Sequence, residues 1–431
     1  MDRISKNIKI KESIKSTRLK RRSQSCKTYR FKVDKSSLNR AQKESLKMFF
    51  VEAKRVYNYL LSEINSGKDL YSYDYKNLKD IKYLDKDKNE VDYHVNYIGS
   101  SVIANTIELM KDSIKGLSVL KKHGLKVGKL RFKSECNSIN LRQYGITHKI
   151  KGSKFKIQGI KKPIRVCGLN QVPDNADLTT AKLLYDGNDY YISLTCFTGK
   201  TVPQRNDKTI GIDLGCSNTI TTSDGEKLKV SIEESERLKG LQTKLSKQTK
   251  RSNNWYKTRS KIRKEYCRMN NKKDDIANKI VHKLTQNGTV VIQDYQISEW
   301  KENKTLSKTI QHSVIGRIKT KLKRKDNVVA LDQWFPTSKQ CSCGARVDLK
   351  LSDRTFKCPV CGAVEDRDVH AAKNMIVFYE KYKSAGSVDS MPRKTITYKK
   401  FLSVMSGQEA RLALAAGQIR YSQNQNRCKT M

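Results

Sequence analysis

The chain has no apolar run long enough to span a bilayer, and residues 1–27 are polar and basic with no signal-peptide pattern. Neither a membrane span nor export is expected. Acidic residues are scarce beside basic ones, 43 Asp+Glu against 88 Lys+Arg, for a net charge of +45. Self-repulsion of that size opposes a compact fold unless a polyanion neutralises it, so nucleic acid is the expected partner, ahead of a membrane surface or a ribosome. The positive charge is not confined to one tail. It recurs over 18–22, 247–268, 319–325 and 393–400, which suits a protein that wraps a long duplex or a folded RNA.

Paired cysteine spacing is also missing over most of the chain. Of 11 cysteines, Cys26, Cys136, Cys167, Cys196, Cys216, Cys267 and Cys428 are scattered. Free thiols or metal ligands in a reducing, intracellular compartment are expected rather than a disulfide framework.

At 431 residues the chain exceeds one ordinary core, so two or three domains are expected. Tyr29–Val33 alternates like a strand. Leu46, Phe49, Phe50, Ala53, Val56, Tyr57, Leu60 and Leu61 follow helical spacing inside 38–64, and 102–120 forms a second helix. From 125 to 198 short β-like runs recur (129–132, 154–157, 180–184 and 190–196) with turn signals between them. They suggest a small antiparallel barrel, completed by the strand at 29–33 and split by the helical segment. A new domain opens near Thr209 with a three-strand meander over 209–231, then a long basic helical stretch over 232–286 broken near 252–254. Strands at 289–294 and 328–332 and helices at 309–325 and 373–382 follow, with a polar tail after Ser384.

Cys341-Ser342-Cys343 and Cys358-Pro359-Val360-Cys361 stand 14 residues apart, each pair followed by a glycine, Gly344 or Gly362. Two cysteine knuckles around a hairpin form a zinc-ribbon layout: four thiolates suit tetrahedral Zn²⁺ and leave no open position, so the role is structural. The first knuckle, C-x-C, is one residue shorter than usual. Asp213 lies in the apolar run Thr209-Ile210-Gly211-Ile212-Asp213-Leu214-Gly215, where a carboxylate is costly unless something binds its charge. Asp366-Arg367-Asp368 opens a helix, with Asp366 read as its cap and Asp368 as the candidate ligand. Between them, Thr289–Ile292 runs into Gln293-Asp294. Phosphodiester hydrolysis by two Mg²⁺ ions about 3.5–4 Å apart needs several carboxylates converging on both. Asp213, position 293 and Asp368 come from separate elements that an RNase H-like sheet would bring together.

These motifs, in this order, resemble the TnpB family of transposon-encoded RNA-guided nucleases and the compact type V CRISPR effectors related to it. The resemblance runs from Tyr29 to Tyr382 and includes Gly211–Gly215, Asn254-Trp255, Phe335-Pro336-Thr337-Ser338-Lys339, both knuckles, and Asp366–Asn374. It implies a bilobed α/β protein: an RNase H-like (RuvC) domain carrying a zinc ribbon, plus an N-terminal wedge-like β-barrel with a helical recognition insertion. The implied boundaries are a basic mobile arm at 1–27, the barrel at 28–37 and 125–205, and the helical domain at 38–124. The RuvC-like domain takes 206–335 and 363–383, the ribbon 336–362 and the polar tail 384–431. It implies an RNA-guided DNA endonuclease with two Mg²⁺ ions at Asp213, position 293 and Asp368, and Zn²⁺ at Cys341, Cys343, Cys358 and Cys361. Its partners would be a guide RNA and double-stranded target DNA with an adjacent motif, bound by a monomer or a homodimer on one guide. It would work in the prokaryotic cytoplasm, at the nucleoid when on DNA.

Three positions depart from the pattern: the C-x-C knuckle, His370 where the family has Asn, and Gln293 where it has the catalytic Glu. Glutamine keeps the size of glutamate and loses its charge. The lost anionic ligand is expected to slow cleavage on the order of a thousandfold, while pairing and phosphate contacts keep DNA binding intact. The change is read as introduced to trap substrate, as natural in a guided repressor, or as offset by Asp294 or Glu299. The first is favoured, because a long-evolved repressor would have lost more than one ligand, and Asp294 faces the other side of its strand. On the enzyme reading, Gln293→Glu restores guided cleavage. A strand-transfer transposase is opposed by the ribbon placement and the Asp-Arg-Asp ending.

Overall fold

The computed structural model describes residues 3–85, 89–200, 208–286, 288–350, 352–385 and 395–405, without the side chains of 3–7, 10 and 301. The chain divides into two compact units, 1–202 and 203–431.

The first unit begins with α1 (Arg3–Arg22), a helix where a mobile arm is expected. Its described side chains are almost all exposed, so no apolar periodicity marks it; Lys20 and Arg21 near its end meet Asp177 at 3.0 and 2.9 Å. Next come β1 (Gln24–Val33), α2 (Arg40–Asn65), a hairpin of β2 (Asp80–Leu84) and β3 (Glu90–His94), and α3 (Ser100–Lys122). Asn39 opens α2 with a reciprocal side-chain-to-backbone cap with Gln42. Six further strands follow: β4 (Ser138–Leu141), β5 (His148–Lys151), β6 (Lys154–Ile157), β7 (Ile164–Cys167), β8 (Asp177–Tyr185) and β9 (Tyr190–Gly199). With β1 they form an antiparallel, nearly closed sheet in the order β4-β8-β9-β1-β7-β6-β5. The split barrel is thus seen as a topology, with the helices and hairpin inserted between β1 and β4. The expected run at 129–132 is not a strand.

Glu52 on α2 is fully buried in this unit. Its carboxylate accepts from Tyr93 Oη at 2.8 Å and from the backbone N–H groups of Asn96, Tyr97 and Ile98 at 2.8–2.9 Å. Four donors on one acceptor-only group tie α2 to the turn that leads into α3.

The second unit opens with the meander β10 (Thr209–Asp213), β11 (Ile220–Thr222) and β12 (Lys227–Leu228). The basic helical stretch is two helices, α4 (Glu236–Ser246) and α5 (Asn253–Thr285), parted at Arg251, whose φ is +70°. Then come β13 (Thr289–Asp294), α6 (Lys304–His312), α7 (Ile315–Leu322) and β14 (Val328–Asp332), so that one expected helix over 309–325 is two. The ribbon strands β15 (Thr355–Lys357) and β16 (Val364–Asp366) lead into α8 (Arg367–Ser384), which starts six residues before the expected helix.

Beyond Ser384 the chain is not only a polar tail. β17 (Thr395–Ile396) adds a strand beside β14, and α9 (Tyr398–Val404) buries Tyr398 and Phe401 against Phe335 and Phe378. The remaining tail residues, 386–394 and 406–431 with Cys428, lie outside the described residues.

The main sheet runs β12-β11-β10-β13-β14-β17, antiparallel through the meander and parallel from β10 onward. One face buries Ile212, Val290, Ile292, Val328 and Ala330 with residues of α5–α7. The other packs Val291, Val329 and Leu331 on Met375 and Phe378 of α8. Gly211 sets that second contact: a Cβ there would lie 1.8 Å from the Ala372 carbonyl oxygen. Only hydrogen lets α8 lie this close to β10, which places the start of α8 near the end of the strand.

Candidate acidic centre and cysteine cluster

Parallel pairing of β10 with β13 sets Ile212 opposite Ile292, and strand alternation turns Asp213 and Gln293 to the α8 face. Asp368 enters from the first turn of α8. Asp366 is that helix's N-cap, its Oδ1 accepting from the N–H groups of Asp368 and Val369 at 3.1 and 3.2 Å, while Lys227 Nζ donates to its Oδ2 at 2.6 Å. Burial, and then the neighbouring Asp368 carboxyl, push the Asp213 carboxyl up to about 7. The Leu214 N–H, Arg367 and the Tyr295 phenol act the other way. Asp294 faces the opposite side, as alternation predicts, paired with Lys319 of α7 at 2.6 Å and with Lys323, the residue that caps α7, at 2.5 Å.

Gln293 is 1% exposed. Its Oε1 accepts from Tyr295 Oη and Thr337 Oγ1, both at 2.6 Å. Its Nε2 donates to the backbone carbonyls of Phe335 at 2.9 Å and Asp332 at 3.2 Å. All four hydrogen-bonding capacities of the amide are filled. The Tyr295 phenol also interacts with Asp213, so it joins the strand acid to the buried amide. Sequence reasoning missed Tyr295 and Thr337. The signal for Tyr295 was present, since it stands two residues past Gln293, one residue beyond the end of β13; Thr337 belongs to the Phe335–Lys339 motif.

Magnesium takes hard oxygen ligands. Asp213 and Asp368 are donors of that kind. Position 293 does not fit: its one oxygen carries two hydroxyl donors.

In the ribbon the four cysteine Sγ atoms lie within 4.8 Å of one another, with Cys341–Cys361 at 3.5 Å and Cys343–Cys358 at 3.6 Å. Tetrahedral Zn²⁺ with Zn–S of about 2.3 Å needs sulfurs about 3.8 Å apart, so the donor set fits. The short first knuckle closes in a tighter turn, Gly344 N–H to Cys341 O, where the second uses Gly362 N–H to Cys358 O. Both glycines are left-handed, at φ +90° and +74°. Backbone N–H groups of Cys361 and Val360 draw the Cys358 thiol down to about 6, which favours the thiolate.

His370 joins ribbon to helix. Its ring stacks on buried Phe356 at 3.7 Å, its Nε2 meets the Gln340 carbonyl at 2.9 Å, and Asn374 donates to that same carbonyl at 2.7 Å.

In the first unit, an open groove of about 880 Å³ has a floor of Phe50, Tyr185 and Tyr190. Exposed Lys35, Arg40, Lys43 and Lys47 line its rim.

Residues 193–304 match the family model described as "Probable transposase", and residues 312–375 match "Cas12f1-like, TNB domain". A "Putative RNA-guided DNA endonuclease" of Streptomyces pristinaespiralis is 31% identical over 226 residues, covering 50% of this chain and 56% of that protein. "Putative RNA-guided DNA endonuclease InsQ" of Escherichia coli (strain K12) is 25% identical over 214 residues, covering 43% and 53%. The matches thus span about half the length of these relatives. A solved structure titled "Cryo-EM structure of the Cas12f1-sgRNA-target DNA complex" resembles the chain with a TM-score of 0.45 at 12% identity, covering 82% of this chain and 99% of that one. The sequence matches thus place a stretch like a probable transposase ahead of one like a Cas12f1-like TNB domain. In these matches the chain is similar to TnpB-like proteins.

Among the described residues no helix is long and apolar enough to cross a membrane.

Proposed function

We propose that this chain is an RNA-guided DNA-binding protein of the TnpB class, carrying an RNase H-like centre that cuts DNA weakly or not at all. The observation that carries the second half is Gln293, a neutral and fully hydrogen-bonded amide beside Asp213 where the class has its third acid. The first half is supported by the two family models, the printed names of the relatives and the net charge of +45. A basic groove with an aromatic floor suits a phosphate backbone with stacked bases. Guide pairing would read sequence, and the protein would read shape and a short adjacent motif. Cys341, Cys343, Cys358 and Cys361 would hold Zn²⁺, a structural ion that fixes the ribbon beside α8. One copy or two would sit on one guide, inside a prokaryotic cell.

A naturally silent, repressor-like protein is the favoured form of this reading, because the Gln293 amide is matched to its surroundings by four hydrogen bonds. The full chain should be expressed with the DNA that flanks its gene, and its co-purifying RNA sequenced. One RNA species should dominate, and the complex should footprint DNA that pairs with it. Absence of bound RNA, or footprints indifferent to pairing, would overturn the proposal.

A further inference from the structure

We infer that the acidic centre is a closed hydrogen-bonded lock, not a two-ion site lacking one charge, and that Tyr295 is the residue that closes it. The inference rests on the reading above, that this centre corresponds to a nuclease site.

The Phe335 and Asp332 carbonyls can only accept, so the atom of residue 293 facing them must donate. Glutamine supplies that donor and glutamate does not. On the other side Tyr295 and Thr337 present hydroxyl donors to Oε1. The environment therefore specifies an amide at both ends. A carboxylate there would set an oxygen against two carbonyl oxygens, leaving the Phe335 carbonyl with only the Thr337 N–H at 2.8 Å and the Asp332 carbonyl with only the Phe335 N–H at 3.5 Å.

Tyr295 is held from two ends. Its phenol spans Gln293 and Asp213, and its backbone carbonyl accepts from Lys319 Nζ. The phenol thus engages both positions that would have to share an ion. Reversing the charge at position 293 alone thus leaves the plug in place, contrary to the expectation that Gln293→Glu restores cleavage.

The test compares the full chain, Gln293→Glu, Tyr295→Phe and Gln293→Glu/Tyr295→Phe, all zinc-replete, by thermal unfolding with and without millimolar Mn²⁺. Gln293→Glu should lower Tm by roughly 5 °C, from a carboxylate oxygen set against two carbonyl oxygens, and Mn²⁺ should not restore it. Failure of that variant to fold would support the amide requirement as strongly. The double variant, which lacks the phenol hydroxyl, should gain a Mn²⁺-dependent rise in Tm. The lock is overturned if Gln293→Glu is as stable as the parent, if it gains the Mn²⁺ rise on its own, or if the double variant gains none. These readouts need no guide. If the chain bound no RNA, the functional reading would fail while the metal and stability results would still decide the lock.

Discussion

Two buried polar side chains, one in each unit, show how backbone surroundings dictate chemistry. Glu52 faces four donors and no acceptor; Gln293 faces two donors and two acceptors. The two residue types have the same length and nearly the same shape. In the first unit only the carboxylate satisfies its surroundings, and in the second only the amide does. A Glu-to-Gln difference in an aligned sequence therefore says little until the partners are counted, and the count at position 293 describes surroundings matched to an amide.

The strongest way to set the two units apart is through the cysteine cluster, which lies in the second alone. Metal removal with a strong chelator, or Cys358→Ser, should abolish a cooperative transition of the second unit and leave that of the first, read by calorimetry. Structural zinc contributes on the order of 10 kcal/mol. Loss of both transitions together would show that the units do not unfold independently.

Next in size is the comparison itself. Glu52→Gln turns an amide NH₂ toward N–H donors and should destabilise the first unit by about 3 kcal/mol in urea unfolding. A near-neutral result would mean that counting partners does not predict which residue a buried site demands.

Gly211→Ala should cost the second unit about 2–3 kcal/mol, because the added methyl meets the Ala372 backbone carbonyl. It displaces α8, and Asp368 with it, without touching the four partners of Gln293. Unchanged stability would indicate that α8 is not held against β10 by this close approach.

The smallest effect is a pH slope. His148 is buried in the first unit, and burial lowers its pKa to about 4. Its unfolded form binds a proton near pH 6.5, so the unfolded state takes up more protons between those values. Stability is complete above about pH 6.5 and falls as pH drops through 4, by up to about 3 kcal/mol. His148→Phe should flatten the slope if the variant folds with comparable midpoint at neutral pH. A slope unchanged by the substitution would assign it to other groups.

Much of the centre was legible because its residues carry unusual costs. Asp213 inside an apolar strand, Asp366 placed to cap a helix, and two knuckle glycines at left-handed φ each leave a local mark in sequence. Strand alternation alone sent Asp294 to the lysine-lined face. Tyr295, one residue beyond β13, could have been found by its spacing from Gln293, but a tyrosine at a strand's end carries no evident cost. What escaped depends on long-range contact. The helix Arg3–Arg22 has no apolar stripe to detect. Thr395–Val404 reads as polar tail because its few apolar residues matter only once Phe335 and Phe378 are beside them. The carbonyls that hold Gln293 belong to the end of β14 and the turn after it, roughly 40 residues away.

Guided binding without efficient cutting is open to one direct measurement. The guide-loaded chain, incubated in Mg²⁺ with a DNA carrying the paired site, should be read for footprint and strand breaks in the same sample. The prediction is a footprint over the paired segment with both strands intact. Efficient breaks at that segment, made by the unaltered chain and absent without guide, would contradict it.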